Sequence, residues 1–156
     1  HVVTMASSAP LFARLGHPQW NPARIYFTNE GVFPTVTYYV QGLFTRNSGD
    51  RWLPPKIDPA AKDLAVSAVR DTKSGDLILK IVNTSRESKP LRIALDGARG
   101  LSASATATVL TGDPGAKNDA GNAPAVTPKT MTLAVGPAFA YDAPASSLTV
   151  IRIPSR

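Results

Sequence analysis

Apolar and polar residues alternate over most of the second half of the chain. In the clearest case, Leu91, Ile93 and Leu95 are separated by single residues, a period of two that is typical of a half-buried strand. Turn-forming residues separate such runs, as in residues 71–76 and 96–97. The pattern predicts seven strands, over residues 64–70, 77–83, 91–95, 104–110, 130–135, 139–142 and 148–153. Seven short strands favour an antiparallel β-sandwich.

The first fifty residues follow a different pattern. Apolar residues near helical spacing predict a helix over residues 4–15 that Gly16 ends, although Pro10 falls inside it. Residues 25–27 form a short apolar run that is typical of a buried parallel strand. Apolar positions spaced by three and four residues then predict an amphipathic helix over residues 36–44. Helix, strand and helix together resemble one unit of a parallel α/β fold, whose partner strands would lie upstream.

These two patterns divide the chain into three segments. Residues 1–50 would form the helix–strand–helix unit, residues 51–60 a proline-rich linker, and residues 61–156 the sandwich. The long polar stretch at 112–129 predicts a mobile loop. A single strand–helix unit leaves apolar edges uncovered, so we expect residues 1–50 either to pack onto the sandwich or to mediate self-association.

Charge and composition exclude several classes of function. The chain has 17 Lys and Arg against 11 Asp and Glu, a net charge of +6, but the basic residues are scattered. A nucleic-acid interface needs a clustered basic patch, so we expect no nucleic-acid partner. No apolar run is long enough to cross a membrane, and no signal peptide is recognisable at the start. The chain has no cysteine and no phosphate-binding glycine loop, so we expect no disulfide and no cofactor.

Four segments of the first fifty residues, taken together, resemble a known enzyme family. They are MASSAPLFAR at 5–14, GHPQWNP at 16–22, IYFTN at 25–29 and YYVQGLF at 38–44. Their order and spacing are similar to those of the carboxy-terminal region of α-L-arabinofuranosidases of glycoside hydrolase family fifty-one. Beyond residue 50, the strand rhythm and the closing LTVIRI at 148–153 carry the resemblance.

The resemblance implies an architecture and an activity for the parent protein. These enzymes join a (β/α)8 catalytic barrel to a β-sandwich of jelly-roll type. Residues 1–50 would be the helix–strand–helix remnant of the barrel, and the fold of the chain would be mainly β. The parent would be a retaining glycoside hydrolase, extracellular or periplasmic, that removes terminal α-L-arabinofuranosyl residues from arabinoxylan or arabinan. The upstream barrel would be this region's partner.

Four positions depart from the family pattern. Ser8 stands where the family has Tyr, Pro18 where it has Thr, and both Ala23 and Thr28 where it has Asp. A polar residue at the end of a barrel strand usually faces the active site. The changes at 23 and 28 therefore predict an altered sugar site.

The chain lacks a convincing pair of catalytic carboxylates. A retaining glycosidase needs two carboxyl groups about 5–5.5 Å apart, and the chain has two Glu residues, Glu30 and Glu87. Both are predicted in polar turns, and the resemblance implies that the family's two catalytic Glu residues lie upstream. Asp residues also fall mostly in turns. Asp71 and Asp76 flank one hairpin and could approach a Ca²⁺, but the spacing of a calcium loop is absent, so we expect no metal. We therefore expect no catalytic residue in this chain.

Two residues of the first segment are candidates for binding substrate. Trp20 could stack its apolar ring on a sugar, and His17 lies in the same loop, which the resemblance places near the last barrel strand. The alternatives are a structural role for His17 and packing of Trp20 against the helix of Tyr39 and Leu43.

Other functions stay open. A carbohydrate-binding module needs exposed aromatic residues, and Phe139 and Tyr141, two apart on one strand, share one face that is either core or sugar platform. Trp52 is the other aromatic candidate. Association with acidic polymers through basic residues is a third hypothesis, which the scattered charge disfavours. Asn83-Thr84-Ser85 is a formal N-glycosylation triplet.

Overall fold

The computed structural model describes residues 7–120 and 124–155, and this part of the chain is mainly β with one helix. The elements in chain order are β1 (Phe12–Arg14), β2 (Ile25–Phe27), β3 (Val32–Pro34), α1 (Val36–Arg46), β4 (Arg51–Leu53), β5 (Leu64–Arg70), β6 (Leu77–Asn83), β7 (Lys89–Ala94), β8 (Ser104–Thr111), β9 (Lys129–Ala134), β10 (Ala138–Ala143) and β11 (Ser147–Ile153). The seven strands predicted for the second half are confirmed as β5 to β11, with bounds that differ by at most two residues.

Six strands form one antiparallel sheet in the order β4-β5-β6-β11-β8-β9, and β7 pairs with β10 in a second, two-stranded sheet. The two sheets enclose the larger core. Alternate residues of β6 and β11 point into it, including Leu79, Ile81 and Ile151. The two-stranded sheet covers them with Leu91 and Tyr141. Two antiparallel sheets packed around an apolar core make the domain sandwich-like.

The other face of the six-stranded sheet carries helix α1. Leu43 of the helix packs against Ile78, Leu148 and Val150, which are the residues of β6 and β11 that point away from the larger core. The two central strands are therefore buried on both faces, and this explains why they read as nearly continuous apolar runs. The amphipathic helix is confirmed, and its apolar face lies on the sandwich.

The amino-terminal part contains a strand where we predicted a helix. The prediction of a helix over 4–15 is wrong for its described part, because Phe12–Arg14 is β1 and pairs in parallel with β2; residues 1–6 lie outside the described residues. Strand β2 is confirmed and also pairs with β3, in antiparallel orientation. The amide of Leu15 donates to the carbonyl of Phe27 at 2.9 Å and continues the pairing.

Two connecting segments are more ordered than the sequence suggested. The predicted linker contains β4, whose three residues pair with β5 as the edge of the large sheet. The predicted mobile loop lies against helix α1, with Val126 buried in the smaller core and Asn118 buried beside it. In both segments, contacts with residues distant in sequence supply an order that local composition does not indicate.

Candidate functional site

A pocket of about 400 Å³ lies on the three-stranded sheet, near the carboxyl ends of the parallel strands β1 and β2. Its polar lining comes from Arg14, His17 and Gln19. The remaining lining residues are mostly apolar, namely Ala9, Pro10, Phe12, Ala13, Trp20 and Phe27. Carboxyl ends of parallel strands are where α/β folds place binding sites, since the loops that follow the strands converge there.

The structure brings the two candidate residues together in this pocket. Trp20 is 70% exposed and Phe12 is 56% exposed, so both present open ring surface. The alternative in which Trp20 packs against helix α1 is wrong, because its indole is mostly solvent-accessible and Tyr39 and Leu43 pack on the sandwich instead. An aromatic surface beside imidazole, amide and guanidinium groups can stack on a sugar ring and hydrogen-bond its hydroxyls.

Hydrogen bonds fix the loop between β1 and β2 that carries these residues. The Tyr26 hydroxyl donates to Asn21 Oδ1 at 2.5 Å and accepts the amide of Ala23 at 3.0 Å. The Thr35 amide and hydroxyl both donate to the carbonyl of Arg24, at 2.9 and 2.8 Å. Strand β2, the end of its loop and the start of α1 are thus tied to one another just behind the pocket.

Three of the four departures from the family pattern have local explanations. The Thr28 hydroxyl accepts the amides of Glu30 and Gly31, at 3.1 and 3.2 Å, so it closes the turn as an Asp carboxylate would. Ala23 is almost fully buried, where an unpaired carboxylate would be costly. The Ser8 hydroxyl accepts a hydrogen bond from Arg24 Nη2. The change at 28 therefore keeps the turn, while the change at 23 replaces a charge with a small buried side chain.

Neither Glu residue lies in the pocket. Glu30 is in the turn between β2 and β3, and Glu87 is in the turn between β6 and β7. Among the described residues that line the pocket, none is Asp or Glu. The two carboxyl groups that a retaining glycosidase requires are therefore not assembled by the described lining.

The Asp71–Asp76 hairpin holds an arginine. Arg152 Nε donates to Asp76 Oδ2 at 2.6 Å, and its Nη2 donates to Asp71 Oδ2 and Ser74 Oγ, both at 3.2 Å. Hydrogen bonds from Ser74 and from the Lys73 amide lower the pKa of Asp71. A guanidinium occupies the position that a Ca²⁺ would need. Within residues 7–120 and 124–155, no cluster of three or more His, Asp or Glu is placed to hold a metal ion.

The proposed aromatic platform on β10 is wrong. Tyr141 is only 7% exposed, and its hydroxyl lies 2.8 Å from the Thr149 hydroxyl inside the larger core. Burial raises the pKa of Tyr141. Phe139 packs against the same core. The face that these two residues share is therefore the core face of the sandwich, and it offers no surface for stacking a sugar.

The formal glycosylation triplet is also inaccessible in the folded chain. Asn83 is 1% exposed, and its Nδ2 donates to the carbonyls of Glu87, Ala143 and Pro144 at 2.8, 3.1 and 2.9 Å. Its Oδ1 accepts the amide and hydroxyl of Ser85, at 3.0 and 2.7 Å. The side chain joins two turns and has no free nitrogen to modify.

Of the nine lining residues, the sequence anticipated only His17 and Trp20 as site residues, and Phe12, Arg14 and Phe27 are among those it missed. Phe27 ends a strand that the sequence did predict, so the rule that sites follow strand ends could have found it. Phe12 and Arg14 were missed because their segment was expected to be helical. Separately, no helix in the described part of the chain has the length and apolar character to cross a membrane.

Sequence comparisons relate the chain to arabinofuranosidases. It is 31% identical over 155 residues to the probable α-L-arabinofuranosidase A of Aspergillus niger, with 96% of this chain and 23% of that protein covered. It is 36% identical over 109 residues to the extracellular exo-α-L-arabinofuranosidase of Streptomyces chartreusis, with 69% and 13% covered. The chain thus spans less than a quarter of the length of these relatives.

Structural comparisons agree. An arabinose-bound GH51 α-L-arabinofuranosidase matches with a TM-score of 0.88 and 32% identity, covering 95% of this chain and 24% of that one. The GH51 enzyme of Thermotoga petrophila matches in fold, with a TM-score of 0.73 and 21% identity, covering 83% and 31%. The family model for the α-L-arabinofuranosidase C-terminal domain matches residues 1–147. The chain therefore belongs to the α-L-arabinofuranosidase C-terminal domain family, the carboxy-terminal region of GH51 enzymes.

Proposed function

We propose that this chain is the non-catalytic carboxy-terminal region of a retaining α-L-arabinofuranosidase, and that it completes and supports an upstream (β/α)8 barrel. The observation that carries the proposal is the pocket at the ends of β1 and β2, whose described lining offers aromatic and basic groups but no carboxylate. Such a lining can bind a sugar and cannot cleave its glycosidic bond. The two carboxyl groups would come from the barrel.

The proposed division is residues 1–50 as the end of the barrel, 51–60 as a linker, and 61–156 as a sandwich of jelly-roll type. The parallel pairing of β1 with β2, followed by helix α1, supports a barrel remnant. The position of β11 between β6 and β8 gives the sandwich a non-sequential strand order, as connected Greek keys do. Strand β4 begins the large sheet inside the linker and would join the two parts.

The apolar surface of the amino-terminal part supports an upstream partner. Leu11, Phe12, Leu15 and Val32 are all more than 40% exposed, although they lie on or beside strands. Large exposed apolar side chains grouped in one part of a fold usually mark an interface. The barrel would cover Leu11, Leu15 and Val32, while helix α1 anchors the same segment to the sandwich on its other side.

The relatives support a proposal for substrate and location. We propose that the parent protein acts on arabinose-containing plant polysaccharides such as arabinoxylan or arabinan, and that it is extracellular. The extracellular exo-α-L-arabinofuranosidase of Streptomyces chartreusis supports the location, and the arabinose-bound structure supports the sugar.

Variants of the pocket test its role in substrate binding. In a protein that joins this chain to its upstream barrel, Trp20→Ala is expected to raise KM for an arabino-oligosaccharide about two- to tenfold, because an aromatic contact contributes about 0.5–1.5 kcal/mol. His17→Ala is expected to raise KM as well. The control is Met131→Ala, which removes another exposed apolar side chain, on the edge strand β9, and should leave KM unchanged. An unchanged KM in Trp20→Ala would rule out the pocket as a sugar site.

A second candidate is a sandwich that binds polysaccharide as a carbohydrate-binding module. With Tyr141 buried and Phe139 packed against the core, the observation that still favours it is Trp52, which is 67% exposed on the edge strand β4. Affinity electrophoresis in gels with arabinoxylan or arabinan would show retardation that Trp52→Ala abolishes. Migration unaffected by either polysaccharide would exclude this function.

Without its barrel, the chain is expected to self-associate through residues 1–50. The same exposed residues, of which Phe12 and Val32 are the most exposed, would then meet in a second copy. Sedimentation velocity should show a monomer–dimer equilibrium that Phe12→Ser shifts towards monomer. A monomer at every concentration would contradict this expectation.

A further inference from the structure

The segment between β8 and β9 is held together by one asparagine. We call its described residues, 112–120 and 124–128, the strap. Asn118 Nδ2 donates to the carbonyl of Val126 at 2.7 Å, and the amide of Val126 donates to Asn118 Oδ1 at 2.8 Å. Asn118 and Val126 are both buried, and this pair of buried hydrogen bonds closes the strap on itself. Asn118 thereby replaces the backbone pairing that an irregular segment otherwise lacks.

The strap also encloses helix α1. Val126 is buried in the smaller core with Leu43 of the helix and Leu148 of the sheet, and Ala116 packs against this core. A Cβ at Gly112 would lie 2.6 Å from Val126 Cγ2, so the strap approaches the end of β8 as closely as the backbone allows. The helix is therefore in contact with the large sheet and with the strap.

The same asparagine reaches the sheet that carries the pocket. Asn118 Nδ2 makes a longer contact, 3.4 Å, with the carbonyl of Pro34 at the end of β3. Pro34 is the register partner of Ile25 in β2, and the neighbouring Thr35 is bonded twice to Arg24. A short run of hydrogen bonds thus leads from the strap through β3 to β2, whose far end lines the pocket.

We infer that Asn118 is a positioning residue, through which the strap fixes β3 and helix α1, and with them the pocket-bearing sheet, to the sandwich. The coupling itself rests on the contacts just described. Its consequence for sugar binding rests on the proposed function of the pocket. In addition to enclosing the larger core, the sandwich would then hold the sugar site in place through this contact.

Hydrogen exchange followed by mass spectrometry tests the coupling without any sugar. Asn118→Asp keeps an oxygen to accept the Val126 amide but loses both donated bonds, to Val126 and to Pro34. We expect amides of α1 and β3 to exchange about tenfold faster or more, with a smaller change in β6 and β11, because loss of a buried donor destabilises this local unit. Asp119→Asn, at the exposed neighbouring position, is the matched control and should leave the exchange rates of all four elements unchanged.

Two outcomes would overturn the inference. One is unchanged exchange in α1 and β3 of Asn118→Asp. The other is an equal acceleration in α1, β6 and β11, which would mean a general loss of stability. If Asn118→Asp fails to fold, hydrogen exchange of the unmodified chain tests the coupling, because the Val126 amide should then open together with α1 as one cooperative unit. A Val126 amide that exchanges as fast as an exposed loop, beside a protected helix, would contradict the coupling.

A spectroscopic measurement extends the test to the pocket. Trp52→Phe leaves Trp20 as the single tryptophan of the chain. In that background, Asn118→Asp is expected to lower the fluorescence anisotropy of Trp20, because its supporting sheet gains local motion. The same anisotropy with and without Asn118→Asp would show that the strap does not position the pocket. This outcome is distinct from failure of the pocket to bind sugar.

Discussion

At the scale of single residues, Asn83 shows how one buried amide can organise a turn region. Its Nδ2 serves three carbonyls from two connections, those between β6 and β7 and between β10 and β11. Buried polar groups of this kind are retained only when they are well bonded, since each unmet group costs about 1–3 kcal/mol. The sequence marked Asn83 only as part of a formal glycosylation triplet, whereas in the structure its side chain connects two turns at one end of the sandwich.

Replacing this amide should be costly. Asn83→Asp keeps the shape but removes the donor and directs a charged oxygen at backbone carbonyls, so we expect a loss of about 3 kcal/mol in the free energy of unfolding. Urea unfolding at pH 7 measures it. Asn29→Asp, in an exposed turn, is the matched control and should change stability little. A variant at 83 within about 0.5 kcal/mol of the unmodified chain would refute the connector role.

Lys80 is an unusual cation in an otherwise apolar strand. It is 6% exposed, on the helix side of β6, with its Nζ 5.8 Å from the centre of the Phe44 ring. Burial lowers the pKa of Lys80 below its usual 10.5. Because the unfolded chain binds this proton more tightly, the burial costs stability at neutral pH, and the cost is relieved as pH rises through the folded-state pKa towards 10.5.

A neutral side chain of similar length should therefore stabilise the fold. We expect Lys80→Met to raise the free energy of unfolding at pH 7 by about 1 kcal/mol, since methionine keeps the contact with Phe44 without the desolvation penalty. The gain should shrink at pH 10. Denaturant titrations at both pH values measure this effect. A variant less stable than the unmodified chain at pH 7 would mean that the attraction between the ammonium and the Phe44 ring outweighs the cost of desolvating the ammonium.

At the scale of elements, short links between neighbouring turns hold the large sheet to the helix. Asp50, between α1 and β4, accepts the amide of Thr72 at 2.8 Å and also its hydroxyl. Two hydrogen bonds from Thr72 lower the pKa of Asp50 below its usual 3.8, and the hydroxyl contributes more than the amide. A folded-state pKa below the unfolded value gives stability that is present above about pH 4 and is lost as pH falls through the folded value.

This link predicts a pH-dependent effect of substitution. Asp50→Asn should lower the melting temperature at pH 7, and the difference from the unmodified chain should narrow as pH falls below about 4 through the lowered pKa of the folded state, because the carboxylate then becomes protonated in both states. Differential scanning calorimetry over that range measures it. Asp119→Asn supplies the comparison at an exposed position. A difference that is independent of pH would contradict the charge-based account of the link.

The strands of the sandwich could be predicted because their determinants are local. Alternation and turn residues fix where β5 to β11 begin and end, and the central strands β6 and β11 carry enough apolar residues to be recognised while covered on both faces. Helix α1 was recognisable for the same reason. The period of two then predicts which residues of each strand point into the core.

The misplaced elements depend on partners distant in sequence. Residues 12–14 have apolar spacing that suits a helix, but the backbone groups of β1 are paired by β2, which a local pattern does not reveal. Strand β4 exists because β5 offers an edge to pair with. Val126 is a single apolar residue in a polar stretch, and its burial depends on helix α1. The sequence predicted only part of the pocket. His17 and Trp20 were found because they lie in a recognisable loop, whereas Phe12 and Arg14 were missed because their strand was predicted as a helix.

At the scale of the whole molecule, helix α1 belongs to two parts at once. In chain order the helix directly follows β3 of the amino-terminal sheet, while its apolar face lies on the sandwich. The pocket therefore sits on a segment that the sandwich holds in place, yet the described residues that line it contain no carboxylate. On the proposed function, this segment would position a sugar for chemistry that an upstream barrel performs.

The central claim, that this chain binds and supports but does not cleave, is tested most directly by assaying the purified chain on an aryl α-L-arabinofuranoside. We expect no release of the aryl alcohol above the rate without protein, and activity only when the upstream barrel is present. Hydrolysis by the chain alone that disappears in Glu30→Gln would contradict the account, because it would place the acid/base catalyst in the turn after β2.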